Sequence, residues 1–184
     1  LFNSKGVIIM EPNLNSSKNC ILPLYIVESY EAKFPKTIDS CNLLAADKLA
    51  QNEYFIKLIL QLKIYTNRTD FLKIHKRKTL ISAISNYGSI VISHQQDNAL
   101  NNLYFEVLSL GLPLLHNSSM ISDYGYFYPE NNIDEAVNQI EMILNNHKKD
   151  FESYKKKTDQ FIDLFSLENK KNRKSYYELI HNIN

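Results

Sequence analysis

Val7-Ile8-Ile9-Met10 is an unbroken apolar run of the kind expected for a strand buried on both faces, and it gives way at once to the polar stretch Glu11-Pro12-Asn13-Leu14-Asn15-Ser16-Ser17-Lys18. That stretch leads into a helical pattern carrying Ile21, Leu24, Tyr25 and Glu28, which Ser16 or Ser17 is placed to cap. Residues 38–44 predict a second strand, and Phe55, Leu58, Ile59 and Leu62 then recur at the i, i+3, i+4, i+7 spacing of an amphipathic helix. A short strand is expected at 71–74, a small helix at 78–86 and a buried strand at 89–93. A helix over 101–110 stops at Gly111, and Pro113-Leu114-Leu115-His116 resumes as a strand.

Strands that alternate with helices specify a parallel sheet with crossover helices on its faces. Beyond Asp134 the alternation ends, and helical stripes take over: Ala136, Val137, Ile140 and Leu144, then Tyr154, Thr158, Phe161 and Phe165, then Tyr176, Ile180 and Ile183. The fold class expected is therefore α/β, a Rossmann-like parallel sheet flanked by helices, with a helical C-terminal tail. The division expected is a Rossmann-like domain over residues 1–148 and C-terminal helices over 149–184 that pack on the same domain.

Composition narrows the reading. A chain of 184 residues suits one domain that buries roughly 70% of the surface of its unfolded form. The 21 Lys and Arg nearly cancel the 20 Asp and Glu, so no field of one sign draws the molecule onto nucleic acid or anionic lipid. Cys20 and Cys41 lack metal-ligand or C-x-x-C spacing, which fits reduced thiols and a cytoplasmic protein. No apolar run approaches the roughly 20 residues of a membrane span. The opening Leu1-Phe2-Asn3 has neither a methionine nor a leader pattern, as in a fragment of a longer protein.

In an open parallel sheet, ligands bind outside the carboxyl ends of the strands. The run 94–102, rich in hydrogen-bonding side chains, follows one predicted strand, and Asn117-Ser118-Ser119 followed by Asp123-Tyr124-Gly125-Tyr126-Phe127-Tyr128-Pro129 follows another. The helix that starts near Asn101 presents unpaired N–H groups suited to a phosphate. With four glycines there is no G-x-G-x-x-G and no Walker A loop, so phosphate charge has to be met by side chains. Lys18 and Arg77 follow strands and are the candidate cations. His94 and His116 are candidate partners for a sugar hydroxyl or phosphate, and no spacing supports a metal site. Glu106 lies among Phe105, Val107 and Leu108, a costly place for a charge unless that face meets a ligand, and it is the leading candidate.

Asn98 stands eight residues before Glu106, and Leu110-Gly111-Leu112-Pro113-Leu114 follows. Together they resemble the E-x7-E element and G-x-P turn of the donor-binding domain of GT-B glycosyltransferases, with the first acid replaced by Asn. Ser93-His94-Gln95, Leu100-Asn101, His116-Asn117-Ser118 and residues 125–129, with Glu11-Pro12-Asn13 and Lys18, are similar to a GT-B-like family of bacteria and viruses. The likeness runs from about Gly6 to Leu144. It implies a nucleotide diphosphate sugar as substrate, no further cofactor and no obligatory metal. Glu106 would accept the ribose hydroxyls, Asn98 would face the donor sugar or diphosphate, and Lys18 and Arg77 would neutralise the diphosphate. His94, Asn101, His116 and Asn117 complete the expected donor site. The glycan or other acceptor would sit on a separate N-terminal domain of the same protein. The alternative reading is a non-catalytic interaction module whose Tyr124 to Tyr128 loop binds a protein; a response-regulator or flavodoxin-like domain lacks its acidic cluster after the first strand.

Overall fold

The computed structural model describes residues 4–15, 17–98 and 100–182. Six parallel strands form one sheet in the order β3-β2-β1-β4-β5-β6, with β1 Val7–Ile9, β2 Cys41–Leu43, β3 Leu72–Ile74, β4 Ile90–Ser93, β5 Leu114–His116 and β6 Tyr126–Phe127. This is the Rossmann strand order, which reverses direction of growth between β1 and β4.

Alternation along β1 and β4 sorts the core into two layers. Val7, Ile9, Ile90 and Ile92 face the helices α1 (Ile21–Lys33) and α6 (Ile133–Asn146), meeting Leu24, Val27, Ile140 and Ile143. Val91 and Leu114 face the opposite layer, where α5 (Asn102–Ser109) contributes Tyr104, Val107 and Leu108. Ile8 meets Ala83 of α4 (Leu80–Asn86) on that same side. Because both faces are covered, β1 and β4 are apolar throughout apart from Ser93.

Between β2 and β3 the expected single helix is two: α2 (Glu53–Ile59) and the short α3 (Lys63–Thr66). The break is stabilised by Glu28 of α1, whose carboxylate accepts the Lys63 and Ile64 N–H groups at 2.9 Å each. Ser17 does not cap α1: the N-cap residue Cys20 donates its N–H to Asn13 Oδ1 at 2.8 Å and Ile21 donates to Asn19 Oδ1 at 3.0 Å; Ser16, the other serine expected there, lies outside the described residues.

α5 ends as its glycine predicts. Gly111 takes φ +67, its N–H reaches the Leu108 carbonyl at 3.0 Å, and the Leu112 N–H reaches Val107 at 3.1 Å, the paired bonds of a Schellman turn. α7 (Phe151–Phe165) packs on α5 through Phe161, fully buried, whose ring lies 5.0 Å from Phe105 and 5.0 Å from Tyr124. His147 is buried at the end of α6, between the Tyr126 hydroxyl at 3.0 Å and the Gly111 carbonyl at 3.2 Å. α8 (Lys170–His181) follows and has no buried residue. Among the described residues no helix is long and apolar enough to cross a membrane.

Candidate functional site

The chain leaves β1 toward β2 and leaves β4 toward β5, so the loops beyond these two adjacent strands part and open a crevice at their carboxyl ends. Two loops meet there. Lys18 bridges backbone-to-backbone with Gln95, and the Gln96 N–H donates to the Ser17 carbonyl at 2.9 Å, which ties the loop after β1 to the loop after β4. Asn13 at φ +55, Ala45 at φ +55 and Asp97 at φ +54 are left-handed residues without being glycine, and all follow the carboxyl ends of strands. Such backbone costs on the order of 1 kcal/mol or more per residue and collects where a site is being shaped.

At the centre of this junction lies Glu11, with 0% of its surface exposed. Its carboxyl oxygens receive the Ser93 hydroxyl at 2.5 Å and, at the outer limit of 3.5 Å, the Gln95 amide; the His94 N–H also donates to it. Burial outweighs these hydrogen bonds and the nearby Lys18 cation, and raises the carboxyl from 4.5 to about 7. Beside it the Tyr104 hydroxyl is buried next to Ser93, and burial pushes that phenol up to about 12.

The other residues expected in the site divide into three groups. Lys18, His94, Asn98 and Asn117 converge on Gln95 and its loop. Asn98 donates to the Gln95 side-chain oxygen and to the Leu100 carbonyl at 3.2 Å. Asn117 holds the Gln95 backbone at both ends, accepting its N–H at 3.0 Å and donating to its carbonyl at 2.9 Å. His94 Nδ1 lies 2.9 Å from the Tyr128 hydroxyl, and burial lowers its basicity. Asn101 caps α5, accepting the Leu103 N–H at 3.2 Å.

The Arg77 and Glu106 side chains take no part in these hydrogen bonds. Glu106 is exposed, which departs from the apolar setting its sequence neighbours suggest: Tyr104, Val107 and Leu108 point inward and Glu106 points out. It lines a groove of about 310 Å³ between α4 and α5, with Thr79, Leu80 and Ile81 opposite. Arg77, also exposed, lies two residues before Thr79 in the loop that enters α4.

His116 is the third case. It is fully buried; its Nε2 donates to the Tyr124 carbonyl at 2.7 Å and its Nδ1 accepts the Ser118 N–H at 3.2 Å. Both ring nitrogens are engaged by the fold, and burial lowers its pKa to about 4, so it is neutral at neutral pH. The loop expected over 123–129 contains β6, and Gly125 at φ +70 lets it pass against the His116 ring, where an added Cβ would lie 3.1 Å away.

Glu11 and Gln95 are absent from the residues expected to form the site, although they organise it. The usable signal was an acid placed directly after a wholly apolar strand, since buried ionisable groups in a crevice are concentrated at functional sites.

Solved structures share this architecture. TarM of S. aureus is 17% identical with a TM-score of 0.69, over 94% of this chain and 35% of that one. The α,α-trehalose 6-phosphate synthase of Burkholderia multivorans is 10% identical with a TM-score of 0.72, over 99% of this chain and 43% of that one. Anabaena Alr3699/HepE, solved in complex with UDP-glucose, is 13% identical with a TM-score of 0.66, over 96% of this chain and 49% of that one. The chain thus spans between a third and a half of the length of these proteins. The chain shares with these proteins the fold of a Rossmann-like parallel sheet flanked by helices.

The chain belongs to the family described as "Protein of unknown function (DUF2827)", whose model matches residues 2–180. No curated protein matches it.

Proposed function

We propose that this chain is the donor-binding domain of a glycosyltransferase and takes a nucleotide diphosphate sugar at the carboxyl edge of its sheet. The observation that carries the reading is the β1–β4 switch point, where Lys18 and the polar 93–98 loop meet in front of the capped helix α5. The shared fold supports it, since a protein of that fold has been solved with UDP-glucose.

Lys18 and the N-terminus of α5 attract the diphosphate, and Arg77 approaches from the β3–α4 loop. Glu106, open to solvent in the α4–α5 groove, accepts the two ribose hydroxyls; a carboxylate offers two oxygens for that purpose. Asn98 and His94 face the sugar or diphosphate, and Asn101 and Asn117 fix the loop that presents them. As the glycosidic bond breaks, negative charge grows on the departing nucleotide diphosphate, and the Lys18 and Arg77 cations stabilise it without an obligatory metal. The acceptor binds a further, N-terminal domain, and transfer takes place in the cleft between the two, in the cytoplasm and independently of nucleic acid.

Donor affinity of the domain and transfer by the full-length protein test this together. Glu106→Ala is expected to weaken both; if both stay at wild-type values, Glu106 is not a donor ligand.

A further inference from the structure

We propose that Glu11 is the positioning residue of this site: by drawing the Ser93 hydroxyl, the His94 amide and the Gln95 side chain onto one buried carboxyl, it sets the 93–98 loop against Lys18 and couples loading of the site with an anion to uptake of a proton. The proposal rests on the donor-site reading and adds a residue and a regulation to it.

The geometry singles out Glu11 because its three hydrogen-bond donors come from consecutive residues of one loop, and that loop is the one that carries Asn98 and leads to Asn101. The 2.5 Å separation from the Ser93 hydroxyl is the length of a bond from a hydroxyl to a carboxylate. Gln95 then passes the constraint on, since its own side-chain oxygen receives Asn98 and its backbone is held by Asn117 and bridged to Lys18.

The charged and titratable groups around Glu11 are few. Lys18 faces it from the β1–α1 loop, Cys20 from the start of α1, Tyr104 from α5 and Tyr128 from beyond β6. Burial keeps Cys20, Tyr104 and Tyr128 uncharged at neutral pH, which leaves Lys18 as the cation that favours ionised Glu11. An anion drawn to Lys18 neutralises that support and adds negative charge of its own. Both effects favour the protonated carboxyl, with the proton taken from solvent.

The cluster can accommodate that proton. A protonated Glu11 donates to Ser93 Oγ and still accepts from Gln95 through its other oxygen. The Ser93 proton can then turn to the neighbouring Tyr104 hydroxyl, which is buried beside it.

The test is calorimetric titration of the protein with UDP at pH 7 in two buffers of different ionisation enthalpy, alongside the carbon resonance of the Glu11 carboxyl and the amide signals of Gln95 and Asn98 from pH 5 to 8.5. Wild type should take up more protons per UDP bound than Glu11→Gln does, by up to about half a proton at pH 7. In the ligand-free protein the Gln95 and Asn98 signals should move with the Glu11 carboxyl and stand still in Glu11→Gln. Ser93→Ala, which keeps the carboxyl but removes its shortest hydrogen bond, should shift the transition to higher pH. Equal proton uptake in wild type and Glu11→Gln, or loop signals that ignore the carboxyl, overturns the proposal. If UDP fails to bind wild type at any pH, the donor reading falls, and the ligand-free titration alone decides the role of Glu11.

Discussion

The Ser93 hydroxyl stands 2.5 Å from the Glu11 carboxyl and joins the carboxyl ends of β4 and β1 across the switch point of the sheet. Burial holds the proton on Glu11 up to about 7 in the folded protein, against 4.5 for an unperturbed carboxyl. Between these values the folded chain binds the proton and the unfolded chain does not. Glu11 therefore adds stability that is fully present below pH 4.5 and is lost as pH rises through 7, by at most about 3 kcal/mol. Urea unfolding from pH 4.5 to 8 should show a difference between wild type and Glu11→Gln that shifts in favour of the variant as pH rises. Parallel stability curves would show that the carboxyl titrates alike in both states.

His116 has the opposite dependence. Its folded pKa is lowered to about 4 from 6.5, so its contribution is intact above pH 6.5 and is lost as pH falls toward 4. Replacement by Phe leaves the Ser118 N–H and the Tyr124 carbonyl without the ring nitrogens they use, and should destabilise the fold by about 2–4 kcal/mol while flattening this acid limb. A His116→Phe variant with wild-type stability would mean that the ring serves something other than the fold.

Asn117 and Gln95 exchange two hydrogen bonds, at 3.0 and 2.9 Å, that tie the loop after β5 to the loop after β4. Asn117→Ala should cost about 2 kcal/mol. Asn117→Asp keeps the acceptor and loses the donor, and should fall between alanine and wild type. Hydrogen exchange is the more telling readout, since the Gln95 and Gln96 amides should be deprotected far more than those of β2.

Glu106 separates folding from binding. It is exposed on α5 and has no ion pair among the described residues, so Glu106→Ala should leave stability within about 0.5 kcal/mol of wild type. Nucleoside diphosphate affinity should nevertheless drop about tenfold, as expected for hydrogen bonds from ligand hydroxyls to a charged group. Loss of stability together with affinity would assign Glu106 to the fold.

The layers of the fold were legible because burial on both faces leaves β1 and β4 apolar, and because the stripes of α6 and α7 repeat at helical spacing. The break between α2 and α3 was not, since it depends on Glu28 from a distant helix. β6 has only two residues, too few to show a period, and is defined by pairing with Leu115 and His116.

The candidate site shows the same division. Its position followed from strand order, and Asn101 acts through its own helix, so local pattern was enough. A histidine at a strand end reads the same whether it faces a ligand or, like His116, a backbone carbonyl eight residues on. Glu11 is set by contacts across more than 80 residues of sequence, which a linear pattern does not register.

The central claim is tested most directly by calorimetric titration of the folded protein with UDP, GDP and ADP, each with and without an attached hexose, with Lys18→Ala and Glu106→Ala as controls. The account predicts saturable binding of one nucleotide, weakened in both variants, and thereby names the base. A folded wild-type domain that binds none of them, with the full-length protein equally silent, would contradict it.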